Sequence, residues 1–140
     1  MEVYKKILVP LDGSDVSEKI LPEIEKVARC FNASISLLRV AYAHAFPGID
    51  AVEAQVKVVR EAEDYLRQIE DRLKAKGFAV ESHVRYGDEA EEILDHCAWN
   101  DIDLIAMSTH GRGGIKRWLL GSVAEKVIRH STKPILLVRH

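Results

Sequence analysis

The chain has 140 residues, of which 47% are hydrophobic and 30% charged, and this length fits one domain with a hydrophobic core of its own. Twenty Lys and Arg residues against 22 Asp and Glu residues leave a formal charge of −2, which excludes partners recognised by overall charge and predicts no nucleic-acid or membrane partner. The sequence contains no apolar run of about eighteen residues and no signal-peptide pattern, so we expect a cytoplasmic protein.

The first predicted strand is Lys6–Pro10, a β-branched apolar run that ends at a proline, as a buried strand does. After a turn at residues 12–15, apolar residues recur every three or four positions, which predicts one face of a helix. These positions are Ile20, Ile24, Val27 and Phe31. Asp15 followed by Glu18 is the predicted cap at the start of this helix.

The second predicted strand is Ser34–Val40, and it leads into residues 41–51, which are apolar but broken by a Pro-Gly pair. We interpret this segment as a loop or a lid. From Val52 an apolar series with helical spacing continues to Gly77, a residue type that commonly follows the end of a helix. The series predicts the longest helix of the chain.

Residues Val80–Tyr86 alternate between apolar and polar side chains, a pattern typical of a strand at a sheet edge with one partly solvated face. Its polar members, Glu81, His83 and Arg85, are interpreted as that solvated face rather than as a functional cluster. The remaining elements are a helix with Ala90, Ile93, Leu94 and Cys97, a strand Asp103–Met107, a helix Ser122–His130 and a strand Pro134–Val138.

Strands and helices alternate strictly along the chain, and this order predicts right-handed βαβ crossovers. The expected fold class is therefore α/β, a single doubly wound domain over residues 1–140 with a five-stranded parallel sheet between layers of helices. The last strand, residues 134–138, is apolar throughout, and an open apolar edge invites pairing with another chain. We expect a homodimer paired through this strand; the alternative is a strand that is central or covered by a helix.

The two cysteines, Cys30 and Cys97, lie far apart in the sequence, and each falls within an apolar helical pattern. Free cysteine is among the residue types most often buried. We therefore expect two buried free thiols rather than a disulfide or a redox pair.

Residues 108–122 connect the fourth predicted strand to the fourth predicted helix, and they hold four glycines, a histidine and three basic side chains. In such a connection backbone N–H groups can approach a phosphate closely, aided by the positive end of the helix dipole. The segment matches neither G-x-x-x-x-G-K-[ST] nor G-x-G-x-x-G, which excludes a Walker P-loop and argues against a dinucleotide site. The alternative is a flexible turn without a ligand.

The best candidates for phosphate contacts in this segment are His110 and the backbone of Gly111, Gly121 and Ser122. Ser122 with Glu125 also matches the S-x-x-E capping box, so a plain helix cap is an alternative for that serine. Weaker candidates are the basic side chains, since exposed cations in a loop are usually solvated: Arg112, Lys116 and Arg117.

A second loop, Pro10 to Ser14, follows the first strand and contains Leu11 and the acidic Asp12. Ligands of open α/β sheets bind at the carboxyl ends of the strands, where the strand order reverses. With strand four beside strand one, both loops line the same crevice, and an acidic group faces the glycine-rich segment. The pair of loops therefore predicts a mononucleotide site.

Three stretches of the chain resemble the universal stress protein family. They are the opening Lys6–Ser14, the motif Met107–Gly111 followed after nine residues by Gly121-Ser122, and the closing Lys133–Val138. The resemblance covers essentially the whole chain. In the nucleotide-binding branch of that family the motif is Gly-x-x-Gly, nine residues, then Gly and Ser or Thr, and this chain has Ser108 at the first glycine position.

The resemblance implies a flavodoxin-like, adenine nucleotide alpha hydrolase-like sheet in the order 3-2-1-4-5 and a dimer through strand five. It also implies ATP, or else ADP or AMP, with Mg²⁺ or Mn²⁺ on the phosphates. The implied neighbours of the adenosine are Pro10, Leu11, Asp12, Val40 and Met107, with Ser108 near the ribose. The implied neighbours of the phosphates are His110, Gly111, Gly121, Ser122 and Val123.

No residue of this sequence is nominated as a catalyst, because phosphoryl transfer needs a positioned nucleophile, metal ligands and charge stabilisation together. The leading hypothesis is an ATP-binding stress-response protein whose nucleotide occupancy changes its binding to an unknown protein partner. The alternatives are a slow ATP hydrolase, in which Asp12 is the acidic candidate, and a nucleotide-free dimeric scaffold. Co-purified adenine nucleotide and single-turnover hydrolysis separate these three hypotheses.

Overall fold

The computed structural model, which describes residues 3–110 and 120–139, has five strands and four α-helices in alternation. The strands are β1 (Lys6–Pro10), β2 (Ser34–Ala41), β3 (Val80–Tyr86), β4 (Leu104–Ser108) and β5 (Ile135–Val138). The helices are α1 (Ile20–Phe31), α2 (Ala51–Ala75), α3 (Glu89–Trp99) and α4 (Ser122–His130), with a 3₁₀ turn, Ser17–Lys19, before α1. No helix within the described ranges is long and apolar enough to cross a membrane.

The five strands form one sheet in the order β3-β2-β1-β4-β5, and every neighbouring pair is parallel. The predicted fold class, parallel topology and 3-2-1-4-5 order are therefore confirmed. The central strand β1 is completely buried at Ile7, Leu8 and Val9, because helices cover both faces of such a sheet. The strand order reverses between β1 and β4, so the carboxyl ends of these two strands border the expected ligand crevice.

Each face of the sheet has its own hydrophobic core. Helices α1 and α2 pack residues such as Ile24 and Leu66 against one face, and α3 and α4 pack residues such as Ile93 and Val127 against the other. Each of these side chains is almost fully buried, which contributes about 1.5–3 kcal/mol apiece to folding.

The predicted Asp15–Glu18 cap at the start of α1 is wrong. No side chain makes a capping hydrogen bond at the N-cap position of α1. The Ser17 N–H donates instead to the Ser14 Oγ at 3.1 Å, and the 3₁₀ turn runs directly into the helix. The Glu18 carboxylate accepts the Tyr65 hydroxyl of α2 at 2.9 Å. Glu18 therefore joins two helices, because a tertiary partner competes with the local cap.

The bounds of α2 agree with the prediction to within two residues, and α2 is the longest helix in the described ranges. Asp50 caps its start, where one carboxylate oxygen accepts the N–H groups of Val52 at 2.8 Å and Glu53 at 3.2 Å. Gly77 follows its end at φ +94°, a left-handed conformation that glycine adopts without strain. Residues 42–50 form neither helix nor strand, in agreement with the predicted loop.

Both cysteines are free, as predicted, but only Cys97 is buried. The core-facing side of α1 is set by Ile20, Ile24 and Ala28. With about 100° of rotation per residue, position 30 lies on the opposite side of the helix. The expectation that Cys30 is buried is therefore wrong.

Strand β3 lies at one edge of the sheet, as predicted, but its polar face is not simply solvated. Helix α3 packs against that face: Arg85 pairs with Glu92 at 2.9 Å, and the His83 and His96 rings lie 5.0 Å apart. All seven residues of β3 are partly buried. The predicted partly solvated face is therefore confirmed, and the contacts with α3 add a packing role that the alternating pattern does not show.

Candidate functional site

The predicted site residues of β1 and β2 meet at the carboxyl edge of the sheet. Pro10 pairs with Leu38 in the parallel register, and the Leu11 N–H continues this pairing by donating to the Leu38 carbonyl at 2.8 Å. Asp12 and Val40 each lie two residues beyond this last pair, toward the carboxyl edge. Leu11, Asp12 and Val40 are each less than a tenth exposed.

On the other side of β1, strand β4 reaches the same edge. Leu8 pairs with Ile105, the last pair of the β1–β4 ladder, and Pro10 and Met107 each lie two residues beyond it, at the carboxyl ends of their strands. Met107 is buried, as is Ser108, which ends β4. The sequence-predicted positions of β1, β2 and β4 therefore lie at the same edge of the sheet.

The loop after β1 holds the Asp12 carboxylate in a fixed position. The Asp12 Oδ1 accepts the Ser14 N–H at 2.9 Å and the Ser14 hydroxyl at 2.5 Å, while the Asp12 N–H donates to the Ser17 Oγ at 3.3 Å. Gly13 completes the turn at φ +88°, in the left-handed region that favours glycine. Asp12 is therefore a preorganised acceptor at the strand end.

Ser108 fastens the end of β4 to the loop after β1. Its Oγ lies 3.0 Å from the Val16 carbonyl and 3.2 Å from the Ser17 carbonyl, and the hydroxyl donates to this pair. The side chain thus points toward the 3₁₀ turn, on the face of the sheet that α1 covers. The two loops that border the crevice are joined through this serine.

Thr109, which the sequence analysis did not select, joins three elements at the end of β4. Its N–H donates to the Val138 carbonyl of β5 at 3.0 Å, and its carbonyl accepts the Gly121 N–H at 2.8 Å. Its Oγ1 lies 3.1 Å from the Nδ1 of His110, which is only partly buried. No local pattern marks this residue, because its role depends on contacts across the sheet.

The first turn of α4 carries no side-chain cap. Gly121, not Ser122, occupies the N-cap position, and no side chain caps it. The Glu125 carboxylate pairs with Arg129 at 2.6 Å, so the predicted Ser122–Glu125 capping box is wrong. Within the described parts of the chain, the N–H groups of residues 122–124 have no acceptor. An uncapped helix start of this kind attracts an anion through these donors and the helix dipole.

Part of the predicted glycine-rich segment lies outside the described residues: Gly111, Arg112, Lys116 and Arg117. Within residues 3–110 and 120–139, no three His, Cys, Asp or Glu side chains converge as metal ligands. The described edge therefore combines a fixed acidic acceptor, buried apolar residues and backbone N–H groups that have no acceptor among the described residues, an arrangement that suits a molecule with a nucleoside at one end and phosphates at the other.

A second polar cluster lies between β3 and α3. Lys6 pairs with Glu81 at 2.9 Å and holds the pKa of that carboxyl below its ordinary value. Burial of His96, together with Coulombic interactions with His83 and Arg85, lowers the pKa of His96 to about 4. Its ring is therefore neutral at physiological pH, and we assign this cluster to the packing of α3.

Comparison with known proteins bears on the family and the fold. The sequence profile of the universal stress protein family matches residues 3–139. The universal stress protein MJ0531 of Methanocaldococcus jannaschii is 32% identical over 142 residues, which cover 98% of this chain and 83% of that protein.

Solved structures agree with this match. The universal stress protein UspA from Lactobacillus plantarum has a TM-score of 0.84 at 26% identity, covering 97% of this chain and 98% of that one. A universal stress protein crystallised in complex with cAMP has a TM-score of 0.64 at 25% identity, covering 98% of each chain. These similarities extend over nearly the whole length of the chain.

Proposed function

The chain belongs to the universal stress protein family, and from this premise we propose that it binds ATP in the crevice between β1 and β4 and acts as a nucleotide-dependent regulator. The proposal includes a homodimer paired through residues 134–138 and a protein partner whose binding depends on nucleotide occupancy. ADP or AMP would occupy the same crevice with fewer phosphate contacts.

The observation that carries the proposal is the start of α4, which has no side-chain cap from the described residues and is joined to the end of β4 by the bond from the Gly121 N–H to the Thr109 carbonyl. No described side chain caps the N–H groups of residues 122–124, so among the described residues these donors are left for solvent or a ligand. A nucleotide phosphate supplies both the acceptor oxygens and the negative charge that this end of a helix favours.

The nucleoside end of the crevice has matching chemistry. Asp12 is fixed as an acceptor for the amino or hydroxyl donors of adenosine, and Val40 and Met107 provide buried apolar surface for the base. The related universal stress protein in complex with cAMP supports an adenine nucleotide as the ligand class.

Divalent cations enter the proposal through the phosphates. The described residues contain no cluster of three metal-ligating side chains, so Mg²⁺ or Mn²⁺ would take its ligands from phosphate oxygens and water, as Mg²⁺ often does. The metal would shield the negative charge of the bound triphosphate.

A path from the crevice to the edge strand supports the regulatory part of the proposal. The Thr109 carbonyl accepts the Gly121 N–H, and the Thr109 N–H donates to Val138 in β5. A phosphate that shifts the start of α4 would therefore act on β5 through one residue. Nucleotide binding and strand pairing would be thermodynamically linked, with each changing the other by the same factor.

Isothermal titration of the purified protein with Mg-ATP tests the binding proposal, with Gly121→Val as the key variant. Gly121 has φ −62° and ψ 154°, which valine adopts without strain, so the change adds bulk at the phosphates while the fold is kept. We expect saturable binding by the wild type and at least a roughly tenfold loss, about 1.4 kcal/mol, in the variant. Gly121→Ala adds one side-chain carbon where valine adds three, so it should reduce the affinity for ATP less.

Circular dichroism and urea unfolding of each variant control for the fold. A wild-type protein that binds no ATP in the titration and carries no adenine nucleotide through purification would contradict the proposal. Wild-type affinity in Gly121→Val would place the phosphates elsewhere.

A further inference from the structure

Arg39 is the one charged residue of β2, and it lies on the sheet face that α1 and α2 cover. Ile35 and Leu37 precede it on that face and belong to the same core, and strand residues two apart share a face. A guanidinium in such a place costs free energy unless polar and aromatic groups surround it. The groups that surround the Arg39 guanidinium therefore indicate its role.

The Arg39 guanidinium lies against the turn that carries Asp12. A Cβ placed on Gly13 would lie 3.1 Å from Arg39 Cζ and overlap the Nη1, so the backbone of the turn and the guanidinium are in close contact. Only glycine leaves room for this approach, which accounts for Gly13 beyond its positive φ.

Tyr65 of α2 lies beneath the same guanidinium, with Arg39 Cζ 5.5 Å from the centre of the Tyr65 ring. The Tyr65 hydroxyl donates to Glu18 at 2.9 Å, and Glu18 also pairs with Arg72 at 3.6 Å. The ring is thus anchored at its far end. Burial and the Glu18 carboxylate raise the pKa of Tyr65, the Arg39 charge lowers it and the Asp12 charge raises it, so Asp12 and Arg39 both lie within electrostatic reach of this ring.

We propose that Arg39 is a positioning residue of the nucleotide site. From the α2 side of the sheet its guanidinium, supported by the Tyr65 ring, holds the turn of residues 12–14 so that the Asp12 carboxylate faces the nucleoside. Arg39 does not touch the ligand in this arrangement; it acts through Asp12. The inference rests on the proposed ATP site and adds the device that fixes its acidic acceptor.

A double-mutant cycle tests this role. In Mg-ATP titrations we expect Arg39→Met to weaken binding about tenfold, the loss of roughly one positioning interaction. In the Asp12→Ala background the same change should alter affinity by less than about twofold. Arg67→Met is the matched control, because Arg67 is an exposed α2 residue paired with Asp64, and it should leave affinity unchanged. Arg39→Lys keeps the charge without the planar guanidinium and provides a second, milder variant for the same cycle.

Equal loss in both backgrounds would assign Arg39 to general stability and overturn the inference, as would full affinity of Arg39→Met in a wild type that binds ATP. Amide exchange in the nucleotide-free protein separates this inference from the proposed function. The Ser14 N–H, which donates to Asp12, should exchange about tenfold faster in Arg39→Met, following the weaker hold on the turn. If the wild type binds no ATP, the proposed function fails, and unchanged Ser14 exchange would then overturn the role of Arg39 as well.

Discussion

Ser108 occupies the position where nucleotide-binding relatives of the family are expected to have glycine, yet its hydroxyl is already engaged. It donates toward the Val16 and Ser17 carbonyls, so the side chain braces the loop after β1. A serine at this position therefore has a structural use of its own, and its presence is compatible with a nucleotide in the crevice.

Ser108→Gly should destabilise the fold by about 1–2 kcal/mol, because it removes a buried hydrogen bond and adds backbone freedom to the unfolded chain. It should not improve ATP affinity by more than about twofold. Urea unfolding and Mg-ATP titration measure the two effects. A large gain in affinity would mean that the serine obstructs the ligand.

The lowered pKa of His96 predicts that the free energy of unfolding decreases at acid pH. Its folded pKa of about 4 lies below the ordinary value of 6.5, so between these values the unfolded chain takes up a proton that the folded protein does not. Stability should fall by about 3 kcal/mol as pH drops from 6.5 to 4, and this contribution should not change further below pH 4. The carboxyls of Glu70 and Glu81, whose pKa values are lowered by their partners, contribute mainly below 4.5.

His96→Leu should abolish this decrease in stability between pH 6.5 and 4. The measurement is the free energy of unfolding in urea at a series of pH values. His130→Leu is the matched control, because His130 is exposed on α4 and its replacement should leave the slope as in the wild type. An unchanged slope in His96→Leu would assign the acid sensitivity to other groups.

At the scale of elements, a side-chain cap at the start of α4 should raise the stability of the fold and weaken the proposed ATP binding. Gly121 occupies the N-cap position without strain, so Gly121→Asp would cap the N–H groups that we assign to phosphate. Stability should rise by about 0.5–1 kcal/mol, while ATP binding should be lost, because the carboxylate occupies and repels the phosphate position. Gly121→Asn is the control: it caps equally without the charge and should lose less affinity. Stabilisation with full ATP affinity would show that the phosphates do not use this turn.

The elements themselves follow closely from periodicity, as α4 at Ser122–His130 and β1 at Lys6–Pro10 show, because helix and strand spacings are local properties. The start of α1 and the cap of α4 cannot be predicted in this way. Glu18 accepts a hydrogen bond from Tyr65, and Glu125 pairs with Arg129, so neither carboxylate caps a helix. The two sides of the crevice are predicted from the loops that follow the first and fourth strands, which contain Asp12 and Gly121. Arg39 was missed, although a charge within an apolar strand is a usable signal, because its target turn is distant in sequence.

At the scale of the whole molecule, the outer edge of β5 is the proposed dimer contact. The carbonyl of Pro134, directly before β5, accepts the Ile105 N–H, and the Val138 carbonyl accepts the Thr109 N–H, at 3.0 Å each. In a parallel ladder alternate residues face opposite neighbours, so even-numbered residues of β5 bond to β4. Leu137 therefore directs its N–H away from the sheet, toward the site of a partner strand.

Leu137→Pro should convert the proposed dimer to a monomer, because proline removes this outward N–H and leaves the bonds to β4. Leu137→Ala is the matched control, since it also shortens the side chain but keeps the N–H, and it should remain dimeric. Sedimentation equilibrium of both variants and the wild type reads out the mass. A monomeric wild type, or a dimeric Leu137→Pro, would contradict pairing through β5.

The most direct test of ATP binding in this crevice is a titration of the ¹⁵N-labelled protein with Mg-ATP, followed by amide chemical shifts. The largest saturable changes should fall on residues 122–124, whose N–H groups would turn to the phosphates, and on residues 12–14 beside the nucleoside. Saturable changes confined to other parts of the chain, or no changes at millimolar ATP, would contradict an ATP site between β1 and β4.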